Sequence, residues 1–255
     1  MKKFIPNGIT ILNLLCGCIG AVYAFNDSLI LAGMYVALGI FFDFFDGLAA
    51  RVLNVSSELG KQLDSLADMV TSGLVPGIVM CQLLADATGH GDALLGVNDD
   101  ASWSSATTLF KEITFLGFFI TAASAYRLAN FNIDTRQSDS FIGVPTPANA
   151  IFIISLGILA QVGEVNWVYD MLSNPYVLIV ITLLSCYALN AEIPLFALKF
   201  KQRGFKGNEI RYVFLLLSVV AIMVLQLYAI PCIIVLYVLM SLVQNVFLKN
   251  QLEKS

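Results

Sequence analysis

The sequence predicts an all-α integral membrane protein, a bundle of about eight transmembrane helices forming a single membrane domain over residues 1–255. Three observations carry this expectation. Hydrophobic residues make up 58% of the chain and the mean hydropathy is +0.81. Only 13% of residues are charged, against about 25% in a typical soluble domain. The apolar residues gather into segments near the roughly 20 residues that a helix needs to cross a bilayer.

In chain order, the first segment is 8–25, entered through Pro6, Asn7, Gly8, Ile9 and Thr10. Pro and Asn favour helix starts. The preceding Lys2 and Lys3 resemble the start of a signal peptide, but no small-residue cleavage site follows, so a retained helix is expected. The second segment, 28–53, and the third, 58–85, are joined by a short link around Asn54 and Ser57. The fourth is 107–131 and the fifth, 147–162, is short for a full crossing. The sixth, 175–198, contains Glu192 and Pro194. An acid in such a segment is a functional candidate by default, although residues 190–194 also read as a kinked helix end near the surface. The last two, 211–228 and 230–248, are nearly fused, which leaves a range of six to eight helices.

Lys and Arg set the orientation. Lys2 and Lys3, Arg51 and Lys61, Arg127 and Arg136, the run Lys199, Lys201, Arg203, Lys206 and Arg211, and finally Lys249 and Lys254 fall on alternate links. The intervening links, 86–105 and 163–174, carry Asp and Glu but no Lys or Arg. Only Lys111 breaks the alternation. Both termini are therefore expected on the cytoplasmic side of the cell (inner) membrane. The basic run 199–211 also suits anionic headgroups, at about 1 kcal/mol per charge near the surface.

Some function classes are excluded. A net charge of −4 argues against nucleic-acid binding. A single His, His90, argues against a His-based metal site or triad. The five Cys lie in apolar runs and read as packing residues rather than disulfides or ligands. No repeat or second domain is visible.

The chemistry concentrates in residues 43–68, on the expected cytoplasmic side. Asp43 and Asp46 are spaced i, i+3, and Asp64 and Asp68 are spaced i, i+4, so each pair shares one face of its helix. The short link makes the two helices neighbours, and four carboxylates converge. Such a cluster is costly to bury without cations, and its hard oxygens suit Mg²⁺, Mn²⁺ or Ca²⁺. Gly47, Ala50 and Gly60 would let a bulky ligand approach the backbones. Arg51 adds a cation suited to phosphate. Together these residues can handle a pyrophosphate.

The fixed positions Asp43, Asp46, Gly47, Ala50, Arg51, Gly60, Asp64 and Asp68 resemble, without departure, the signature of the CDP-alcohol phosphatidyltransferases. Arg127, Leu128, Ala129, Asn130, Phe131 and Asn132, followed by Gly143 to Ala148, resemble its phosphatidylserine synthase branch, as does the run from Gly60 to Met69. This likeness covers most of residues 5–150. It implies a six-helix core over 1–200 and additional C-terminal helices over 205–250.

The resemblance further implies transfer of the phosphatidyl group of CDP-diacylglycerol to L-serine, giving phosphatidylserine and CMP with no covalent enzyme intermediate. Asp43, Asp46 and Asp64 would hold divalent cations, Mn²⁺ or Mg²⁺ and two per site. Asp68 would be the base and share in the second ion. Asn7, Thr10, Gly47, Ala50, Arg51, Ser57 and Gly60 would contact the CDP-linked lipid, and members are commonly homodimers. Arg127 reads either as an anchor at the helix end or as a group facing an anion, here the serine carboxylate, with Asn130 and Asn132 beside it. A sister enzyme acting on glycerol 3-phosphate or an inositol derivative is the first alternative. A divalent-cation transporter is the second, but the second half of the chain has no counterpart acids.

Overall fold

The computed structural model describes residues 4–55, 57–89, 113–134, 141–196 and 208–252. Lys2, Lys3, His90, the acidic stretch Asp92, Asp99 and Asp100, Lys111, Arg136, Lys199, Lys201, Arg203, Lys206 and Lys254 lie outside them. The helices are α1 (Phe4–Phe25), α2 (Leu29–Leu53), α3 (Glu58–Asp68), α4 (Val75–Ala87), α5 (Phe118–Ile133), α6 (Thr146–Val162), α7 (Asn166–Leu172), α8 (Pro175–Asn190), α9 (Glu209–Leu225) and α10 (Ala229–Leu252). Two short strands, β1 (Phe141–Ile142) and β2 (Pro194–Leu195), pair antiparallel. The architecture is all-α, as the composition requires.

Each of the eight apolar segments corresponds to a helix, with shifted ends. The fourth segment's expected start at 107 lies outside the described residues. Among the described residues, four helical stretches are long and apolar enough to cross a membrane: Phe4–Phe25, Leu29–Leu53, Glu58–Ala87 and Glu209–Asn245. α7 and α8, bent by 74°, make a fifth if counted as one span. The fourth stretch is itself folded. Phe214 and Tyr237 would stand about 34 Å apart along one straight helix, yet their ring centroids are 5.7 Å apart. The fold-back falls at Gln226, with φ +49°, and the 3₁₀ turn Gln226–Tyr228. Large apolar side chains on the outside, such as Met223 at 77% and Leu216 at 65% exposure, are a poor match for water. The protein is an integral membrane protein.

α4 is buried all along Val75–Ala85, which makes it the central helix, apolar on every side. Its join to α3 is a π-helical turn, Met69–Leu74, with the Val75 N–H donating to the Val70 carbonyl five residues back. Pro76 accounts for the break: it has no N–H to offer the helical ladder. The segment expected over 58–85 is thus one spanning stretch, Glu58–Ala87, with a π-turn inside it that the sequence reading did not anticipate.

The sixth segment is also corrected. α8 stops at Asn190 rather than 198, because Ala191 is extended and the residue before Pro194 is driven out of helical geometry. Glu192 is therefore exposed beyond the helix end rather than within a span. The emerging strand is clamped by the C-terminal hairpin. Tyr237 donates its hydroxyl to the Phe196 carbonyl (2.9 Å), and the Asn245 amide donates to the Pro194 carbonyl (2.7 Å).

Candidate active site

α1, α2 and α3 build the site. Asn54, in the left-handed conformation at φ +51°, ends α2 with its N–H on the Ala50 and Arg51 carbonyls. Ser57 then caps α3, its hydroxyl accepting from the Gly60 N–H at 3.1 Å. This tight link turns the chain from α2 into α3, and both helices pack against α1. Carboxylate oxygens of Asp43, Asp46 and Asp64 all lie within 4.8 Å of one another. The Asp43 carboxyl is also within hydrogen-bonding reach of Asp68. Three of the four acids expected to converge thus form one cluster, and Asp68 adjoins it through Asp43.

α1 closes the site from the side. The Thr10 hydroxyl donates to Oδ2 of Asp46 at 2.5 Å, and the Asn13 amide donates to Oδ1 of Asp68 at 3.2 Å. Thr10 and Asn13 share one face of α1 and are 3% and 0% exposed. Asp46 is 6% exposed, whereas Asp43, Asp64 and Asp68 are half-buried. Asn7 lies in the first turn of α1, not before it. A Cβ added at Gly60 would stand 3.2 Å from its Oδ1 and 3.1 Å from the Ser57 Oγ, so Asn7, Ser57 and Gly60 form one tight notch.

The two nearby cations do not neutralise the acids. The Arg51 Nε donates to the Gly47 carbonyl (3.0 Å), and the Lys61 Nζ to the Asn132 carbonyl (2.8 Å). Oxygens bound to one hard cation at about 2.0–2.6 Å stand no more than about 5 Å apart, and the three clustered carboxylates meet that spacing. The donor set thus fits a divalent cation. Beside it, Gly47 leaves room: a Cβ there would meet only Arg51 Nη2, at 3.9 Å. Gly47, Ala50 and Arg51 line this open edge of α2.

The residues expected to bind the acceptor divide between two faces of α5. The Asn132 amide donates to the Ser65 hydroxyl at 2.8 Å, next to Asp64. Arg127 and Asn130 instead line a cavity of about 370 Å³ with Ile142, Asp134 and residues 189–192. Its described lining residues include none of the four acids. Arg127 is 7% exposed, and its Nη1 donates to the carbonyls of Ile142 (2.9 Å) and Leu189 (3.1 Å). Gly143, at φ +74°, belongs to the same junction: a Cβ there would stand 2.6 Å from the Leu189 carbonyl oxygen.

Asn13 is the site residue that sequence reasoning missed. Its one signal is an amide in an otherwise apolar helix, one turn from Thr10 on the same face.

Fold and site together define a membrane-embedded protein whose paired helical carboxylates can hold a divalent cation beside a small-residue groove. The chain belongs to the CDP-alcohol phosphatidyltransferase family, whose model matches residues 3–187. This is a family of transferases that in general depends on divalent cations. The chain is 30% identical over 183 residues to the CDP-diacylglycerol–serine O-phosphatidyltransferase of Bacillus subtilis (strain 168), covering 68% of this chain and 88% of that protein. It is 31% identical over 151 residues to the enzyme of the same name from Helicobacter pylori (strain J99), covering 58% of this chain and 55% of that protein. An archaetidylserine synthase from Methanothermobacter thermautotrophicus is 25% identical over 173 residues, covering 66% of this chain and 64% of that protein.

Proposed function

We propose that this protein transfers the phosphatidyl group of CDP-diacylglycerol to L-serine, releasing CMP and forming phosphatidylserine. The convergence of Asp43, Asp46 and Asp64 beside Asp68 carries the reading. The names of the similar proteins favour serine as acceptor. Asp43, Asp46 and Asp64 hold Mn²⁺ or Mg²⁺, two ions per site, with Asp68 sharing the second. Bound there, such ions would supply charge neutralisation for the pyrophosphate and the departing CMP.

The chain's own residues do the rest. Asn7, Thr10, Gly47, Ala50, Arg51, Ser57 and Gly60 line the groove for the CDP-linked lipid. Asp68 takes the proton of the serine hydroxyl as that oxygen bonds to phosphorus and the bond to CMP breaks. Arg127, Asn130 and Asn132 orient serine. The catalytic core is 1–200 and residues 205–250 are the added C-terminal helices. The site opens to the cytoplasm from the inner membrane, both termini lie on that side, and the protein is a homodimer.

One assay tests this. Purified protein is given CDP-diacylglycerol, Mn²⁺ or Mg²⁺, and L-serine, glycerol 3-phosphate or inositol in turn, and CMP release is followed. Release that depends on serine is expected. Release with another acceptor would overturn the substrate, and no release with any would overturn the reaction class.

A further inference from the structure

Asn13 is fully buried and belongs to no expected site, yet its amide donates to Oδ1 of Asp68 at 3.2 Å. A carboxylate only accepts, so Nδ2 must face Asp68. Oδ1 of Asn13 is left buried with no hydrogen-bond partner. It lies over Gly39, where an added Cβ would stand 2.9 Å from it. The Thr71 hydroxyl holds the same turn of α1 by donating to the Asn13 carbonyl at 3.0 Å. A buried polar atom without a partner destabilises a fold, and an apolar residue of the same shape would remove that cost. Packing alone therefore gives no reason for an amide at this position, whereas the contact to Asp68 does.

We infer that Asn13 is a positioning residue: its amide fixes the Asp68 carboxylate through Oδ1, so that Oδ2 receives the proton of the acceptor hydroxyl. The inference rests on the reading of Asp68 as the base. The acceptor oxygen bonds to phosphorus, the bond to CMP breaks with its electron pair, and the proton goes to Asp68. Asn13 touches neither substrate nor reacting atom and acts through Asp68.

The test is a double-mutant cycle on the full chain in detergent, with Asn13→Leu, Asp68→Asn and both together. Asn13→Leu is expected to unfold at the same temperature as wild type or higher. Its kcat should fall about 10- to 100-fold, with KM for serine and for the CDP-lipid nearly unchanged. In the Asp68→Asn background the same substitution should cost nothing further, because residues acting as a unit are non-additive. Should Asn13→Leu fail to fold, Asn13→Ala reads the same cycle. Wild-type kcat in the single variant, or an equal loss in both backgrounds, overturns the inference while leaving Asp68 as the base. Full kcat in Asp68→Asn overturns the base assignment itself, and the inference with it.

Discussion

Thr10 and Asp46, 36 positions apart, are joined by a 2.5 Å hydrogen bond from the threonine hydroxyl to the carboxylate. Both side chains are buried, and the bond orients the most enclosed acid of the cluster. Thr10→Val keeps the shape and removes the donor. A buried hydrogen bond to a charged group contributes about 1.5–3 kcal/mol, so kcat/KM for CMP release should fall about 10- to 150-fold. Thr10→Ser, which keeps the hydroxyl, should recover most of it. Equal kinetics for Thr10→Val and wild type would leave the hydroxyl without a role.

The acid cluster should respond to metal even without turnover. Asp43→Asn, Asp46→Asn and Asp64→Asn each remove a charge from three carboxylates whose oxygens lie within 4.8 Å of one another. Each should keep its fold and release CMP at less than about a tenth of the wild-type rate, given the several kcal/mol a metal site supplies. A ligand bound only to the folded state stabilises it by about 2.7 kcal/mol at 100 times its Kd. Mn²⁺ should therefore raise the unfolding temperature of the wild type in detergent, and chelation should reverse the rise. A variant in which Mn²⁺ still raised it fully would show that its Asp is not a ligand.

Local rules made the acid pairs legible. Spacings of i, i+3 and i, i+4 put each pair on one helix face, a short link with an N-capping Ser57 joins the two helices, and α1 packs against both. Apolar runs likewise marked eight helices, though not where two of them break. The π-turn before Pro76 and the stop at Asn190 depend on proline acting against a strongly apolar pattern, and the pattern dominated the reading. Asn13 was illegible for another reason. Its partner is 55 positions away, and no local spacing reports a contact between distant helices. Arg127 was visible as a polar interruption, but its two carbonyl partners, Ile142 in β1 and Leu189 near the end of α8, lie 15 and 62 positions away, where no local spacing reports them.

Gly17 should be intolerant of any side chain. A Cβ there would stand 2.4 Å from the Thr71 Oγ1 and 2.9 Å from its Cα, and backbone cannot swing aside as a flexible side chain does. Gly17→Ala would push α1 away from the π-turn that holds Asp68. Overpacking of this kind costs about 1–3 kcal/mol, visible as earlier thermal unfolding in detergent. A larger fractional loss of kcat than Gly33→Ala should accompany it, because Gly33 faces Ile154 and Ile158 instead. Unchanged unfolding would mean the helices separate freely at this contact.

The orientation drawn from Lys and Arg is testable with residues that bracket α2. In a background free of native Cys, Glu58→Cys at the exposed start of α3 should react with an impermeant thiol reagent only in inside-out vesicles. Asn26→Cys, exposed in the link between α1 and α2, should react only in right-side-out ones. The opposite pattern would invert the topology and move the acid cluster to the outer face.

Arg127 sets the last prediction, because its geometry serves two demands at once. Nη1 satisfies the carbonyls of Ile142 and Leu189, while the guanidinium also borders a cavity of about 370 Å³ shared with Asn130 and Asp134. A buried guanidinium facing a cavity attracts an anionic group, and its planar fork can hold a carboxylate bidentately. Lysine offers one compact, strongly hydrated charge and no fork. Arg127→Lys should therefore raise KM for serine, by about 30- to 150-fold in kcat/KM for a lost contact of about 2–3 kcal/mol. Affinity for CDP-diacylglycerol should stay nearly unchanged. The carbonyl clamp predicts a second effect, a lower unfolding temperature, because lysine meets those two carbonyls less well. A lower unfolding temperature with unchanged KM for serine would make Arg127 a clamp alone, with serine held on the Asn132 face of α5 beside Ser65. Weakened CDP-diacylglycerol binding would instead assign Arg127 to the pyrophosphate.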